Sequence, residues 1–282
     1  MPTFDTPAPV CVVLSLAFGQ VRVVASDRAE TSVEVYPRDR YDQADMQAAE
    51  HLHVDCTDGR LVVDAAEPCG NDGAVIVIIH VPTGSSLRGQ GMAADFLGVG
   101  ELGACQLRTG MGHIRLDRTG SLQLTASLGT VTVGHATGTV EATADRGDTH
   151  LGQVEGTVTV HAKGEGDITV REAHGAARLH AEKGDVRVSR AHSCVDARTS
   201  HGDIHVGEVA RESLVAATTF GSIRIGVART SGARLFLEST AGTCYTSLSL
   251  LEACEQADEI VHIQARTGIG DIVAEHSGAA TE

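Results

Sequence analysis

The chain has no tryptophan, three tyrosines and five phenylalanines among 282 residues. So few aromatic faces argue against a platform that stacks bases or sugars. Proline is confined to the first part of the sequence: all six lie at or before Pro82, and the last 200 residues have none. An interior strand needs its N–H for the ladder, so this absence fits continuous sheet. Positive charge is scarce too, with 22 Lys and Arg against 37 Asp and Glu, a net charge of −15. Nucleic acid and anionic membranes prefer the opposite sign, and neither is an expected partner. The seven cysteines include no CxxC pair. No basic region precedes the apolar run Val10 to Phe18, which is broken by Ser15. The expectation is therefore no signal peptide, no membrane span, and free thiols in a reducing cytoplasm.

What the sequence has is glycine, 32 in all, set at regular intervals. A Gly followed by an alternating strand recurs as Gly112-His-Ile-Arg-Leu, Gly129-Thr-Val-Thr-Val, Gly147-Asp-Thr-His-Leu, Gly166-Asp-Ile-Thr-Val, Gly184-Asp-Val-Arg-Val, Gly202-Asp-Ile-His-Val and Gly221-Ser-Ile-Arg-Ile. The intervals are 17, 18, 19, 18, 18 and 19 residues. A second series, from Gly120, Gly138, Gly156 and Gly175, opens a companion strand in each repeat. A short third side carries Ala136, Val154, Ala173, Ala191 or Val209. Alternation points Leu122, Val140, Val158, Ile168, Val186 and Ile204 inward. One coil cannot bury its apolar side alone, and stacking supplies the core.

The sequence thus predicts an all-β fold, a single parallel β-solenoid of roughly 18-residue coils. Residues 1–102 read as irregular N-terminal coils, 103–245 as regular repeats, and 246–282 as a C-terminal coil with a capping insertion. In the first stretch Thr31 to Tyr36, His51 to Cys56, Leu61 to Asp64 and Ala74 to Val81 read as strands. Tyr41 to Glu50 reads as a loop or short helix, and Gly91 as the corner of the first nearly regular coil. An up-and-down barrel would need hairpin turns, and Asp58-Gly59 and Asp72-Gly73 are the exceptions that supply such a signal.

The Gly-Asp-Ile/Val-x-Val ladder and its irregular N-terminal third resemble the DUF4097 or "putative adhesin" β-strand repeat family. The start, Phe4-Asp5-Thr6-Pro7 followed by Val12 to Val24 and Ala25-Ser26-Asp27-Arg28, is similar to its actinobacterial cytoplasmic branch. The resemblance covers nearly the whole chain. It implies the solenoid fold and brings no catalytic residues, since the family has no agreed activity.

Several groups carry chemistry in principle. Asp148, Asp167, Asp185 and Asp203 hold one position in successive coils; stacked carboxylates can bind a hard cation, but Asp after Gly also serves the backbone of a tight corner, which is the expected role. His161 and His180 should be outward neighbours, as should His174 and His192, while His51 and His53 should share a strand face. Two imidazoles fall short of the three or four ligands a durable zinc site wants, so no metal site is assigned. Arg187, His205 and Arg224 should line one strand face, with His180 and Arg198 on the next, forming a basic stripe for an anionic ligand or partner. Gly98-Val-Gly100-Glu-Leu-Gly103 matches a dinucleotide loop literally, yet a strand pattern follows where a helix is required. Cys105 should point inward, and Cys194 should lie at an irregular corner, neither with a base at motif spacing.

No catalytic residue and no cofactor is assigned. The expected function is a non-enzymatic intracellular binding or scaffold protein whose partner is a protein or a small anionic or apolar ligand. The alternative is an enzyme with a groove site, either a cyclase of an apolar intermediate or a polysaccharide-type lyase or hydrolase. The insertion Ser247 to Glu259 brings Leu248, Leu250 and Leu251, which fit either a cap on the last coil or an oligomer contact.

Overall fold

Alternating side chains and glycine corners wind each repeat into a coil whose strands pair in parallel with the next. The computed structural model describes residues 2–65, 73–229, 231–248 and 259–278. The chain divides into two units, Met1–Gly138 and Thr139–Glu282.

The second unit holds the most regular coils. One side stacks Val158–Glu165, Ala177–Lys183, Val195–His201 and Ser213–Phe220. The next side stacks Ile168–Ala173, Val186–Ala191, Ile204–Val209 and Ile223–Val227. Registers align like with like, so Ile168, Val186, Ile204 and Ile223 form one buried row. Val154, Ala173, Ala191 and Val209 line the short third side, also buried. Corners stack through glycine because nothing larger fits. At Gly202 φ is +151°, and a Cβ would lie 2.1 Å from the carbonyl oxygen of Gly184 one coil earlier. That oxygen accepts from the hydroxyl of buried Thr199 at 3.0 Å, and Thr218 does the same for Gly202 at 3.0 Å.

One member of the buried isoleucine row breaks the pattern. Thr149 pairs with Ile168 and is 1% exposed, and its hydroxyl has no partner among the described residues. A buried hydroxyl without a hydrogen bond costs free energy that a methyl group of the same shape does not. Thr149→Val should therefore stabilise the protein by about 1 kcal/mol, read as a higher urea midpoint at unchanged slope.

The far side of this unit departs from sequence order. Ser231–Ala241 and Cys244–Thr246 form its outermost coil, whereas Glu259–Ile269 and Ile272–His276 lie one place further in. Glu259–Ile269 pairs with Ser213–Phe220 on one edge and Ser231–Ala241 on the other. Leu248 is buried, while Leu250 and Leu251 lie outside the described residues.

In the first unit the long strand Cys11–Ser26 is likewise interior. It pairs with Arg60–Ala65 and Val75–Pro82 on one edge and with Ser86–Glu101 on the other. The irregularity expected of this region takes the form of antiparallel additions. Thr3–Asp5 pairs antiparallel with Glu30–Pro37, which pairs antiparallel with Val75–Pro82. Leu52–Thr57 and Arg60–Ala65 form an antiparallel hairpin. Its turn residues, Asp58 and Gly59, both have positive φ (49° and 73°), the geometry that an Asp-Gly pair favours.

The ambiguous segment is a helix, Gln43–His51, opened by Asp42, whose carboxylate accepts from the Ala44 N–H at 2.7 Å. His51 ends this helix and so does not share a strand face with His53. Gly91 is no corner: it lies within Ser86–Glu101 and pairs with Thr109. The corner before Gly112 is Ala94, 18 residues upstream, and Asp95 beside it accepts from the His113 N–H at 2.7 Å.

Candidate functional site

The predicted basic stripe comes together only in part. Arg187, His205 and Arg224 share one outward row in adjacent strands, as expected. His180 and Arg198 pair with each other on another side of the coil. Two of the three guanidiniums there are occupied by carboxylates. Arg187 bonds Asp167 at 3.1 Å and also Asp185, and Arg198 bonds Asp196 at 2.8 and 3.1 Å. Burial, then Arg224 and Arg187, push the His205 pKa down, so its ring adds no positive charge near neutral pH. Arg224 keeps a free guanidinium among the described residues.

The aspartate row acts as corner hardware. Asp148 accepts from the Asp167 N–H at 2.9 Å, Asp167 from Asp185 at 2.8 Å, Asp185 from Asp203 at 2.8 Å, and Asp203 from Ser222 at 2.7 Å. Each carboxylate thus caps the next coil's turn. The glycine-rich stretch from Gly98 lies at the end of strand Ser86–Glu101 and leads into strand Cys105–Met111, with no helix N-terminus to face a phosphate. Cys105 is buried, and burial pushes its thiol up to about 12. Cys194 has a partner that spacing did not reveal. Its Sγ lies 2.7 Å from Oε2 of Glu212, 18 residues on.

A site that sequence reading missed lies on the first unit. Parallel strands Cys11–Ser26, Ser86–Glu101, Cys105–Met111 and Leu122–Leu128 present two outward rows. Val13, Arg88, Gln106 and Gln123 form one; Ser15, Gln90, Arg108 and Thr125 form the other. Together they line a depression of about 430 Å³. Gly89 lies at its floor, where a Cβ would come within 2.7 Å of the buried Phe96 ring. Gln106 donates to Gln123 at 2.8 Å and Gln90 to Ser15 at 3.3 Å. Neither Arg88 nor Arg108 has a carboxylate partner among the described residues. Strand spacing and rise put their Cβ atoms roughly 8 Å apart, within reach of one shared anion. Asp64 pairs with Ser15 on the far edge of Cys11–Ser26. The available signal was the coil interval: residues 88, 106 and 123, and 90, 108 and 125, repeat at 18 and 17 residues.

The chain belongs to the Toastrack DUF4097 family, whose model matches residues 13–269. It is similar to three solved structures named "putative adhesin". That from Bacteroides fragilis is 14% identical, with 97% of this chain and 95% of that one covered at a TM-score of 0.43. That from Parabacteroides distasonis is 14% identical, with 97% and 95% covered at 0.47, and that from Parabacteroides merdae 13% identical, with 97% and 94% covered at 0.45. No curated protein matches the chain. Among the described residues no helix is long and apolar enough to cross a membrane.

Proposed function

We propose that the chain is a non-enzymatic intracellular binding protein, of the family's actinobacterial cytoplasmic branch, that holds an anionic group in the Arg88–Arg108 depression. One observation carries this reading: two guanidiniums without carboxylate partners among the described residues share a concave polar face in a chain of net charge −15. Arginine that is not consumed by internal acids is available to carboxylate or phosphate, and the glutamine amides beside it add neutral donors. The five described cysteines are all free, which supports a reducing compartment. A cyclase of an apolar intermediate would want an apolar cradle, whereas this depression is rich in guanidinium, amide and hydroxyl groups.

Calorimetric titration of the full chain with inorganic phosphate and with citrate tests the proposal. Saturable binding that weakens with added salt is expected. A charge-assisted hydrogen bond is worth roughly 1.5–3 kcal/mol, so Arg88→Gln with Arg108→Gln should weaken it by at least tenfold. Arg187→Gln should leave it unchanged. Equal binding by the wild type and the double variant would refute the assignment.

A further inference from the structure

The histidine pair expected from the coil interval has a third member. His174 and His192 stack with ring centroids 4.6 Å apart and planes 8° from parallel. Glu172 reaches both: its Oε1 lies 3.0 Å from Nε2 of His192 and 3.6 Å from Nε2 of His174. One ligand atom from each of the three residues falls within 4.8 Å of the others. We propose that Glu172, His174 and His192 bind a late first-row divalent metal, with Zn²⁺ as the reference ion. This goes beyond the anion-binding reading and rests on different residues in the other unit.

The distances carry the argument. A tetrahedral ion with bonds of about 2.0–2.1 Å holds its ligand atoms about 3.3 Å from one another. The two Glu172 separations bracket that value before any ion is present. Two imidazole nitrogens and one carboxylate oxygen suit zinc, nickel, cobalt or copper, and not calcium or magnesium, which want oxygen alone. Three protein ligands leave a fourth position, and Gln153 stands beside it. Gln153 pairs in register with Glu172, and its side-chain amide nitrogen lies 3.1 Å from Nε2 of His174. Turning that amide end for end presents its oxygen instead.

The backbone is fixed for the task. His174 donates its N–H to Val154 at 2.9 Å and His192 to Ala173 at 2.9 Å, so the two rings are carried by successive rungs of one ladder. Both imidazoles are only part-covered, with side chains 38% and 39% exposed, and they can turn to aim their lone pairs at a shared ion. Oε1 of Glu172 already faces both imidazoles. Arg190, 3.9 Å from the same oxygen, is an exposed competitor that must swing aside.

Titration of the metal-free full chain with Zn²⁺, and with Co²⁺ followed by visible absorption, tests the site. One equivalent should bind, with the d–d bands of a nitrogen- and oxygen-ligated ion, and Zn²⁺ should raise the melting temperature. His192→Asn and Glu172→Gln should each weaken binding at least tenfold while circular dichroism stays unchanged. His161→Asn in the other histidine pair should bind as the wild type does. No binding overturns the proposal, as does zinc affinity that survives His192→Asn and Glu172→Gln, which would place the ion elsewhere on the chain.

Discussion

Gly202→Ala should lower the melting temperature by about 10 °C, while Gly59→Ala should lower it by only a few degrees. Both glycines have positive φ, +151° and +73°. A backbone forced into that region costs any other residue about 1–3 kcal/mol. At Gly59 that is the whole penalty, because none of the described residues lies within 4 Å of the added carbon. At Gly202 the carbon would meet the carbonyl oxygen of Gly184 at 2.1 Å and its carbon at 2.5 Å. Those atoms belong to a corner tied on both sides by the ladder, and they cannot yield as a side-chain tip would. The sum is roughly 3–5 kcal/mol, among the largest effects of a single substitution. Equal thermal shifts for the two variants would show that the stacked corner is not a steric constraint.

Ile223→Ala should cost about 3–5 kcal/mol, and Arg224→Ala, one residue on, under about 0.5 kcal/mol. Ile223 has no exposed surface and is flanked in register by Ile204 and Ile272. Removing it leaves a hole between two side chains held by separate strands, and hydrogen-bonded coils have little freedom to close in. Arg224 points outward on the same strand. Denaturant unfolding of both variants measures the contrast, and comparable losses would mean that the alternation of faces is misassigned.

Where periodicity was strong, the fold could be read directly. Buried rows such as Ile168, Val186 and Ile204 lie where an alternating strand after a glycine must put them. Gly91 misled because a glycine inside a strand and a glycine at a corner look alike in sequence. Gly91 makes room for packing, since a Cβ there would meet that of Ala94 at 2.5 Å. The antiparallel additions were announced only at Asp58-Gly59, and the interior placement of Glu259–Ile269 has no local signal, because pairing order is a property of the folded unit.

The sites divide similarly. The basic row was visible, but the acids that engage it, Asp167, Asp185 and Asp196, could not be assigned without side-chain reach. The histidine stack was visible too, while Glu172 escaped notice because its strand position alone does not show that it turns toward the corner. Arg88 lies in the irregular part, and its register against the strand of Arg108 had to be known before a diagonal pair could be seen.

The interior placement of Cys11–Ser26 and Glu259–Ile269 sets how the protein answers mechanical load. In a solenoid wound strictly in chain order, tension on a flank unzips the outermost coil rung by rung. Here a force delivered through either flanking strand acts on one clamped along both edges. It must shear two ladders together, and forced unfolding is governed by that barrier rather than by the equilibrium stability. An unfoldase pulling on either strand would have to break both of its ladders before the neighbouring coil came free.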